Sequence, residues 1–356
     1  MNVDLELLKD LIRIPSVSAD VDAVNSATDF LHAYLENRGL HCTIENCNGR
    51  RVLFAATVPG KQPDYLFNAH LDVVPAEKEQ FEPSEDGEGR LSGRGASDCK
   101  GPAVVIAQIL CDLAGKASVG AIFTADEEIG GSTTAAMVSR GYGAKRLVCI
   151  VDADPYCIVN AQKGAATFKL IAHGRGGHSS EPWNLENPIE KLMNGFRVFS
   201  ERWPAPTEDR WCDTMAPTVL QAGKVGNMVP DTAELTVNFR FIEEGGEEKI
   251  AKRLRELTGL DVELVSVSPP VFSDISEPEM QRLQRVLAAQ WPDRTIRFSH
   301  LNGATDSRHF VSLGIPVAVL GVDGFHIHCA SEGVWTQSLH DYAEALERFV
   351  LEAQES

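Results

Sequence analysis

The sequence has little positive charge and no long hydrophobic run. Its 356 residues include 33 Lys and Arg against 51 Asp and Glu, a formal net charge of -18. So large an excess of negative charge argues against a nucleic-acid partner and against an anionic membrane surface. No apolar stretch approaches the roughly 20 residues that a membrane-spanning helix needs. With 43% apolar residues, the composition is that of a globular protein whose clustered carboxylates are available for cations.

Cysteine pairs and a secretory signal are also absent. None of the eight cysteines forms a Cys-x-x-Cys pair, and several stand inside apolar runs. This pattern favours free thiols in a reducing compartment. The N-terminal residues MNVDLE are acidic and lack the basic region and apolar core of a signal peptide. We therefore expect a cytoplasmic protein.

Segments with strand and helix periodicity alternate in the first part of the chain and again near its end. Strand-length apolar runs occur at 51–58, 64–70, 119–123, 146–151, 295–299 and 316–320. Helical spacing of apolar residues occurs at 5–12, 27–35, 102–113, 133–140, 278–290 and 338–352. Strands this apolar are buried on both faces. The alternation predicts an α/β fold in which helices flank a sheet.

A different order of elements interrupts this pattern. The sequence predicts strand 166–172, helix 188–203, strands 219–225 and 232–241, helix 247–257 and strand 262–267. This βαββαβ order is that of a ferredoxin-like domain. We therefore predict a discontinuous catalytic domain, formed by 1–164 and 271–356, with a ferredoxin-like α+β domain inserted at 165–270.

Four apolar segments end in a histidine or an acid, or lead directly to one: His70, Asp98, the pair Glu127 and Glu128, and Asp152. Sites of open α/β sheets form outside the carboxyl ends of the strands, so we expect these side chains to converge. Glu127 and Glu128 end the run FTADEE, and successive strand residues point to opposite faces. One of these carboxylates is therefore expected to bind a cation while the other accepts protons.

Histidines and carboxylates without partner cysteines suit a catalytic zinc site rather than a structural one. Zinc lowers the pKa of bound water to about 7, and a pair of ions can hold both oxygens of a hydrolytic transition state. Such a site needs one histidine and one carboxylate per ion, a bridging carboxylate and a free carboxylate base. Asp72 follows His70 by two residues, on the same face of an extended segment, and is placed to orient the imidazole.

Eight motifs occur in order: AHLDVVP at 69–75, GRGASDCKG at 93–101, TADEEIGG at 124–131, QKG at 162–164, GRGGHSSEP at 174–182, NMVPD at 227–231, NGATDSRHF at 302–310 and HCASE at 328–332. With them the chain resembles, nearly end to end, the M20 family of metallohydrolases. The family includes acetylornithine deacetylase, succinyl-diaminopimelate desuccinylase, aminoacylase, and related carboxypeptidases and dipeptidases. The resemblance implies a zinc-hydrolase-type mixed sheet with an inserted dimerisation, or lid, domain.

The resemblance also implies two Zn2+ ions, for which Co2+ or Mn2+ could substitute, and it implies their ligands. His70 and Asp152 would bind one ion. Glu128 and His328 would bind the other, and Asp98 would bridge both.

Catalytic and substrate-binding roles follow from the same resemblance. Glu127 would be the general base that activates the bridging water, and Asp72 would support the site. His178 would stabilise the tetrahedral oxyanion, reaching across a dimer interface. Three groups would hold the substrate carboxylate: Asn227, Arg240 and the Gly303 backbone.

Two ligand positions have rivals nearby. His326 competes with His328, which we prefer because its spacing to Glu332 matches the family's motif. Asp154 competes with Asp152. Many deacylases of the family have a glutamate at the latter position, whereas an aspartate there is similar to the family's dipeptidases and aminopeptidases.

Two further residues near the predicted ligands are expected to be structural. Cys99 follows Asp98, but an extended backbone would point its thiol away from the metals, so we expect it in the core. Asp126 precedes the Glu127–Glu128 pair and is expected to be a structural neighbour of it.

The sequence thus predicts a cytoplasmic homodimeric di-zinc amidohydrolase of small N-acyl amino acids. It would resemble acetylornithine deacetylase, an enzyme of amino-acid biosynthesis. The reaction would proceed by attack of a metal-bridging hydroxide. The alternative on the same site is a di- or tripeptidase or a carboxypeptidase. A non-catalytic binding protein is a third hypothesis, which the intact set of predicted ligands argues against.

Overall fold

The structure is a computed structural model that describes residues 2–203 and 206–353. These residues form the helices α1 (Leu5–Arg13), α2 (Val21–Glu36), α3 (Lys100–Leu113), α4 (Ser132–Ser139), α5 (Pro188–Glu201), α6 (Gly246–Thr258), α7 (Pro278–Gln290) and α8 (Thr336–Glu352). They also form the strands β1 (His41–Cys47), β2 (Arg50–Ala56), β3 (Tyr65–His70), β4 (Ser84–Glu85), β5 (Arg90–Ser92), β6 (Val119–Thr124), β7 (Leu147–Val151), β8 (Cys157–Gln162), β9 (Gly164–His173), β10 (Gly177–His178), β11 (Thr214–Ala222), β12 (Met228–Val229), β13 (Thr232–Phe241), β14 (Asp261–Ser268), β15 (Val271–Phe272), β16 (Arg297–Leu301), β17 (Val317–Leu320), β18 (Gly324–Phe325) and β19 (Gly333–Trp335).

The chain divides into two compact units. The first comprises Met1–Asn160, Phe272–Ser299 and Thr305–Ser356, and the second comprises Ala161–Val271 and His300–Ala304. The second unit thus starts a few residues before the predicted 165 and takes in a short later segment. That segment joins it because the main-chain N–H of Lys163 donates to the carbonyl of Leu301 at 3.1 Å.

The first unit contains a mixed sheet. Hydrogen bonds connect neighbouring strands in the order β1-β2-β6-β3-β7-β17. The series from β6 to β17 is parallel, whereas β1 and β2 are antiparallel to their neighbours. Helices α3 and α8 pack against each other, and both contribute to the main apolar core. The predicted mixed sheet flanked by helices is confirmed.

Burial explains why the segments next to the predicted site are apolar throughout. All six residues of β3 and all six of β6 are buried. Helix α3 is buried around nearly its whole circumference, which is why it lacks an amphipathic pattern. Because β3, β6 and β7 are parallel, their carboxyl ends lie at one edge of the sheet. Residues that follow these ends are therefore brought together.

The second unit is built around a four-stranded antiparallel sheet with the order β11-β13-β9-β14. Apart from the two-residue strands β10 and β12, the elements follow one another as β9, α5, β11, β13, α6 and β14, which is the predicted βαββαβ order. Residues of β9 and β13 alternate between buried and half-buried. The buried faces and the two helices enclose a core that includes Phe168, Phe199 and Phe239.

Several strands were not predicted. The strands β4, β5, β18 and β19 form a small separate sheet, and β1 precedes β2 as the first strand of the large one. The strand β11 begins at Thr214, before the predicted residue 219. Its register with β13 shifts between Pro217 and Val219, and the proline interrupts the strand signal in the sequence.

None of the helices that the structure describes is both long enough and apolar enough to cross a membrane.

Candidate active site

His70 and Asp98 form the first part of the candidate site. His70 is the last residue of β3 and is 2% exposed. Its Nε2 lies 2.8 Å from Asp98 Oδ1, and its Nδ1 lies 2.9 Å from the main-chain oxygen of Asp72. Burial opposes protonation of His70, but the nearby acids Asp72 and Asp98 outweigh burial and raise its pKa well above the usual value. His70 is therefore held in a strongly negative environment.

His328 extends this cluster from the other end of the chain. Its Nε2 lies 3.0 Å from Asp98 Oδ2 and 3.2 Å from Glu128 Oε1. The hydrogen bond to Asp98, together with the charge of Glu128, raises the pKa of His328 to about 9. Each carboxylate oxygen of Asp98 thus faces a different histidine. Burial opposes ionisation of Asp98, but hydrogen bonds from His328 and His70 hold its pKa below the usual range.

The carboxylates next to Asp98 have raised pKa values, because the positive charge near them does not offset burial and mutual repulsion. Burial, together with the charge of Asp98, raises the pKa of Glu128 to about 7. Burial and the charge of Asp98 also raise the pKa of Asp152 well above its usual value. A bound cation would stabilise the ionised forms of such crowded acids.

The donor atoms in the described part of the chain fit metal ions. Two groups have their potential ligand atoms within 4.8 Å of one another: His70, Asp98 and Glu128, and His70, Cys99 and Asp152. Imidazole and carboxylate donors are those of catalytic zinc sites. The predicted ligands are therefore close enough to share cations.

Cys99 is buried, as predicted, but it lies closer to the site than expected. Its backbone is not extended, with φ -136° and ψ 21°. The Sγ atom donates to the carbonyl oxygen of Val151 at 3.1 Å, and burial raises the thiol pKa well above its usual value. A thiol that keeps its proton is a poor metal ligand. Asp154, the rival of Asp152, is exposed and belongs to neither group of potential ligands.

Asp72 organises the turn that carries Glu127 and Glu128. It is fully buried and accepts hydrogen bonds from the main-chain N–H groups of both glutamates, at 3.1 and 3.3 Å. Its Oδ2 also accepts from the Ser18 hydroxyl at 2.6 Å. Its Oδ1 lies 3.6 Å from His70 Nδ1, farther than the main-chain oxygen of Asp72. The carboxylate of Asp72 therefore positions the two glutamates directly. It lies on the Nδ1 side of the His70 ring, opposite the Nε2 atom that contacts Asp98.

Glu127 differs from its neighbours in having a free carboxylate. It begins a single 3₁₀ turn after β6 and is partly buried. Within residues 2–203 and 206–353 its carboxylate makes no hydrogen bond, and it belongs to neither ligand group. Burial raises its pKa. The adjacent Asp126 has a different environment, because it accepts bonds from Ser132 Oγ at 2.6 Å and from the main-chain N–H of Thr133 at 3.1 Å.

Glu332 holds the loop that carries Asp98. Its Oε1 accepts from the main-chain N–H groups of Gly95 at 3.0 Å, Ser97 at 3.3 Å and Asp98 at 3.2 Å. Its other oxygen pairs with the Arg94 guanidinium, which is also buried. The sequence indicated Glu332 only through its spacing to His328. Its contact with the loop, and the role of Arg94, were missed.

Asp306 is a second buried carboxylate that was missed. Its Oδ2 accepts from the hydroxyls of Thr124, at 2.9 Å, and Thr134, at 2.6 Å. Its Oδ1 lies 3.7 Å from His309 Nε2. Burial raises the pKa of Asp306 to about 7. The motif NGATDSRHF contains both residues, but only its Gly303 has a role predicted from the sequence.

Four predicted site residues lie in the second unit. His178 and Asn227 are brought together by the pairing of β10 with β12, where Ser179 N–H donates to the Asn227 carbonyl at 3.1 Å. Arg240 is half-buried on β13, opposite Ala165 of β9. Gly303 is exposed in the segment after β16. His326, the rival of His328, is exposed in the first unit and hydrogen-bonds to Ser331 at 2.8 Å.

Comparisons with known proteins identify the family of the chain. The sequence matches the profile of peptidase family M20/M25/M40 over residues 66–352. It is 29% identical over 385 aligned positions to the succinyl-diaminopimelate desuccinylase of Dinoroseobacter shibae, with 96% of this chain and 100% of that protein covered.

Two solved structures of the M20 family have the same fold. The metallo-carboxypeptidase of Sulfolobus solfataricus has a TM-score of 0.79 and 17% identity, with 99% of both chains covered. A dinuclear metal-binding peptidase of Bacillus subtilis has a TM-score of 0.72 and 15% identity, with 99% of this chain and 97% of that chain covered. The chain therefore belongs to peptidase family M20/M25/M40 and is a metal-dependent hydrolase of amide or peptide bonds.

Proposed function

We propose that the chain is a di-zinc amidohydrolase that cleaves the amide bond of a small N-acyl amino acid. One observation carries the proposal: Asp98 presents Oδ1 to His70 at 2.8 Å and Oδ2 to His328 at 3.0 Å. A carboxylate that bridges two ions must offer one oxygen to each. Asp152 would complete the ligands on the His70 side and Glu128 those on the His328 side.

Glu127 would be the general base. Two zinc ions, when bound, would lower the pKa of the attacking water and polarise the scissile carbonyl. The carboxylate of Glu127 would take a proton from that water and deliver it to the nitrogen of the leaving amine. Its raised pKa favours both transfers, because an effective base has a pKa close to the working pH.

His178 would stabilise the oxyanion of the tetrahedral intermediate. The main-chain N–H of Ser180 donates to His178 Nδ1 at 3.2 Å, so the neutral ring carries its proton on Nε2. An Nε2–H group is the kind of donor that stabilises an oxyanion. Asn227, Arg240 and the Gly303 backbone would hold the substrate carboxylate, for which a bidentate guanidinium is well suited.

N-succinyl amino acids are our first choice of substrate, because the desuccinylase of Dinoroseobacter shibae aligns with nearly the whole chain. The acetylornithine deacetylase-like specificity predicted from the sequence comes second. Asp152 favours a third candidate, a di- or tripeptidase or a carboxypeptidase, because it stands where many deacylases of the family have a glutamate.

Substitution of Glu127→Gln tests the proposed base. The amide is nearly isosteric but accepts no proton, so we expect the variant to keep two zinc ions per chain and to lose turnover by about 10²–10⁴-fold. The measurements are zinc content by elemental analysis and hydrolysis rate with N-succinyl-diaminopimelate, N-acetylornithine and a dipeptide panel. Unchanged turnover in the variant would contradict the role of Glu127.

The same substrate panel separates the candidate activities. Hydrolysis of the N-acyl amino acids in preference to the dipeptides supports the amidohydrolase. The reverse preference supports the peptidase. A wild-type protein that binds no zinc or cobalt and hydrolyses nothing on the panel would favour a non-catalytic binding protein.

We also propose that the protein is a cytoplasmic homodimer that associates through β11 and α5. β11 is an edge strand of its sheet, and Val219 and Leu220 on it are 47% and 66% exposed. Residues of α5, including the 64% exposed Met193, line an apolar groove together with β11. An edge strand with exposed apolar side chains favours pairing with another chain.

A further inference from the structure

Arg50 joins two loops of the first unit that are far apart in sequence. It is the first residue of β2 and is half-buried. Its Nη1 donates to the main-chain oxygen of Ala125 at 3.0 Å, and its Nη2 donates to the main-chain oxygen of Ser18 at 2.6 Å. Ala125 lies in the turn that follows β6, and Ser18 lies between α1 and α2. Arg50 therefore links a strand of the large sheet to both loops.

The bond to Ala125 holds the main chain just after it leaves the sheet. The pairing of β6 with β2 ends at Phe123, and its pairing with β3 ends at Thr124. The carbonyl of the next residue, Ala125, accepts from Arg50. Glu127 lies only two residues farther along the chain. The turn that carries Glu127 therefore begins at a point that the Arg50 side chain holds.

The bond to Ser18 leads to the same turn through Asp72. Ser18 is buried, and its hydroxyl donates to Asp72 Oδ2 at 2.6 Å. Asp72 Oδ1 in turn accepts from the main-chain N–H of Glu127 at 3.1 Å. Two routes therefore lead from Arg50 to the main chain of Glu127, one along the turn itself and one through Asp72.

A guanidinium group suits this linkage. It is planar, so its two Nη atoms have a fixed separation, and it stays protonated at any working pH. Hydrogen bonds from a charged donor are also stronger than those from a neutral one. Arg50 therefore holds the Ala125 and Ser18 carbonyls in a defined arrangement.

The next residue in the sequence provides a contrast. Arg51 is exposed, and its guanidinium pairs with Asp29 of α2. An exposed ion pair of this kind contributes little to stability. Two adjacent arginines of β2 thus differ in their partners: Arg50 binds main-chain oxygens next to the candidate site, whereas Arg51 binds a surface carboxylate.

We propose that Arg50 is a positioning residue for Glu127, an inference that rests on the proposed role of Glu127 as the general base. Loss of the guanidinium would release the Ala125 and Ser18 carbonyls and let the turn shift. A shift of about 1 Å at a reacting group is enough to lower a rate by about 100-fold. Arg50 acts through the main chain and takes no part in the proton transfer itself.

Amide hydrogen exchange of the full-length chain tests the linkage independently of turnover. The variant is Arg50→Met, and the matched control is Arg51→Met. The main-chain N–H groups of Glu127 and Glu128 donate to Asp72. We expect both amides to exchange at least about tenfold faster in Arg50→Met, because the turn opens more often, and at the wild-type rate in Arg51→Met. Unchanged exchange in Arg50→Met would overturn the proposal.

The extent of the faster exchange separates positioning from general destabilisation. The amides of β3, inside the large sheet, are the internal reference. Equal acceleration in β3 would assign Arg50 a purely structural role and overturn the proposal. If Arg50→Met fails to fold, Arg50→Gln takes its place, because its shorter, neutral side chain does not reach both carbonyls. The same two outcomes in Arg50→Gln, unchanged exchange or equal acceleration in β3, would count against the proposal.

Turnover then tests whether the linkage acts through Glu127. With saturating zinc and the best substrate of the panel, Arg50→Met is expected to lower kcat by about 10–100-fold and to leave KM within about twofold. In the Glu127→Gln background the same change is expected to lower kcat by less than about twofold, because the base is already absent. Equal losses in both backgrounds would overturn the proposal. Arg51→Met should keep the wild-type kcat.

These outcomes are separate from those of the proposed function. Turnover that survives Glu127→Gln contradicts the proposed base. Turnover that requires Glu127 but is unchanged in Arg50→Met contradicts only the role of Arg50. Locally faster exchange in a protein that hydrolyses nothing on the panel supports the linkage by Arg50 and contradicts only the proposed reaction.

Discussion

At the scale of single residues, Asp72 shows how one buried carboxylate determines several positions at once. It accepts from two successive main-chain N–H groups, those of Glu127 and Glu128, and from the hydroxyl of Ser18. It also faces the imidazole of His70 at 3.6 Å. Asp72 therefore helps to position the proposed base Glu127 and the proposed metal ligands Glu128 and His70. Asp72 itself belongs to neither group of potential ligands.

We expect Asp72→Asn to weaken zinc binding or turnover by about 10–100-fold, the usual effect of removing a group that supports metal ligands. The amide keeps the shape but loses the charge and presents one acceptor oxygen instead of two. Zinc affinity is measured by competition with a chromophoric chelator, and turnover with the best substrate of the panel. The control Ser18→Ala removes a single hydrogen bond to Asp72 and should have the smaller effect. Equal values in all three proteins would show that Asp72 is dispensable.

At the scale of elements, the carboxylates of Asp126 and Asp306 accept hydrogen bonds that hold the turn from β6 to α4. Asp126 accepts from Ser132 and Thr133 at the start of α4. Asp306 accepts from Thr124, the last residue of β6, and from Thr134 of α4. The segment between these anchors carries Glu127 and Glu128, so the anchors restrict where both carboxylates can lie.

Gly131→Ala is expected to disturb this turn. Gly131 has φ +65°, and a Cβ there would lie 2.1 Å from Asp306 Oδ1 and 2.8 Å from His309 Nε2. Strain in a left-handed backbone costs about 1–2 kcal/mol, and the clash with Asp306 adds to it. The matched control is Gly314→Ala, with φ +66° and no atom within 4 Å of the added Cβ. Urea unfolding should give the larger loss of stability, and activity assays the larger loss of turnover, for Gly131→Ala. Equal losses would mean that the clash is unimportant.

Local periodicity made the element order of the second unit predictable. In β9 and β13 buried and half-buried residues alternate along nine of the ten positions, and the sequence carries the same alternation. β11 was placed too late because Pro217 breaks its pattern, although the chain absorbs the proline at a shift in register. The strands β4, β5, β18 and β19 have two or three residues each and pair with distant segments, so no local pattern indicates them.

The same distinction applies to the site. His70, Asp98, Glu128 and Asp152 were predictable as a group because they follow the carboxyl ends of strands or precede a helix, where the topology brings residues together. The contacts of Asp306 and Glu332 were not predictable, because their partners are remote in sequence. The prediction that the Cys99 thiol points away from the site was wrong, because the backbone at Cys99 is not extended.

At the scale of the whole molecule, the proposed dimer is open to a direct test. Leu220→Lys places a charge on the exposed edge strand β11, where Leu220 is 66% exposed. We expect size-exclusion chromatography with light scattering to give a dimer for the wild type and a monomer for the variant, because an edge lysine opposes strand pairing. Val265→Lys on β14, the other edge strand, is the matched control and should remain dimeric; Val265 is 53% exposed. A monomeric wild type would contradict the proposal.

The hydrogen bond from Gly95 to Glu332 joins residues 237 positions apart. This hydrogen bond between the loop with Asp98 and the loop with His328 can therefore form only after residue 332 has been made. During synthesis, a nascent chain that has not yet passed residue 332 lacks both this connection and the second histidine beside Asp98. If the proposed pair of metal ions is correct, we expect the position between Asp98 and His328 to fill only after residue 332 has been made, and a chain that stops earlier to keep only the part of the proposed centre around His70 and Asp152.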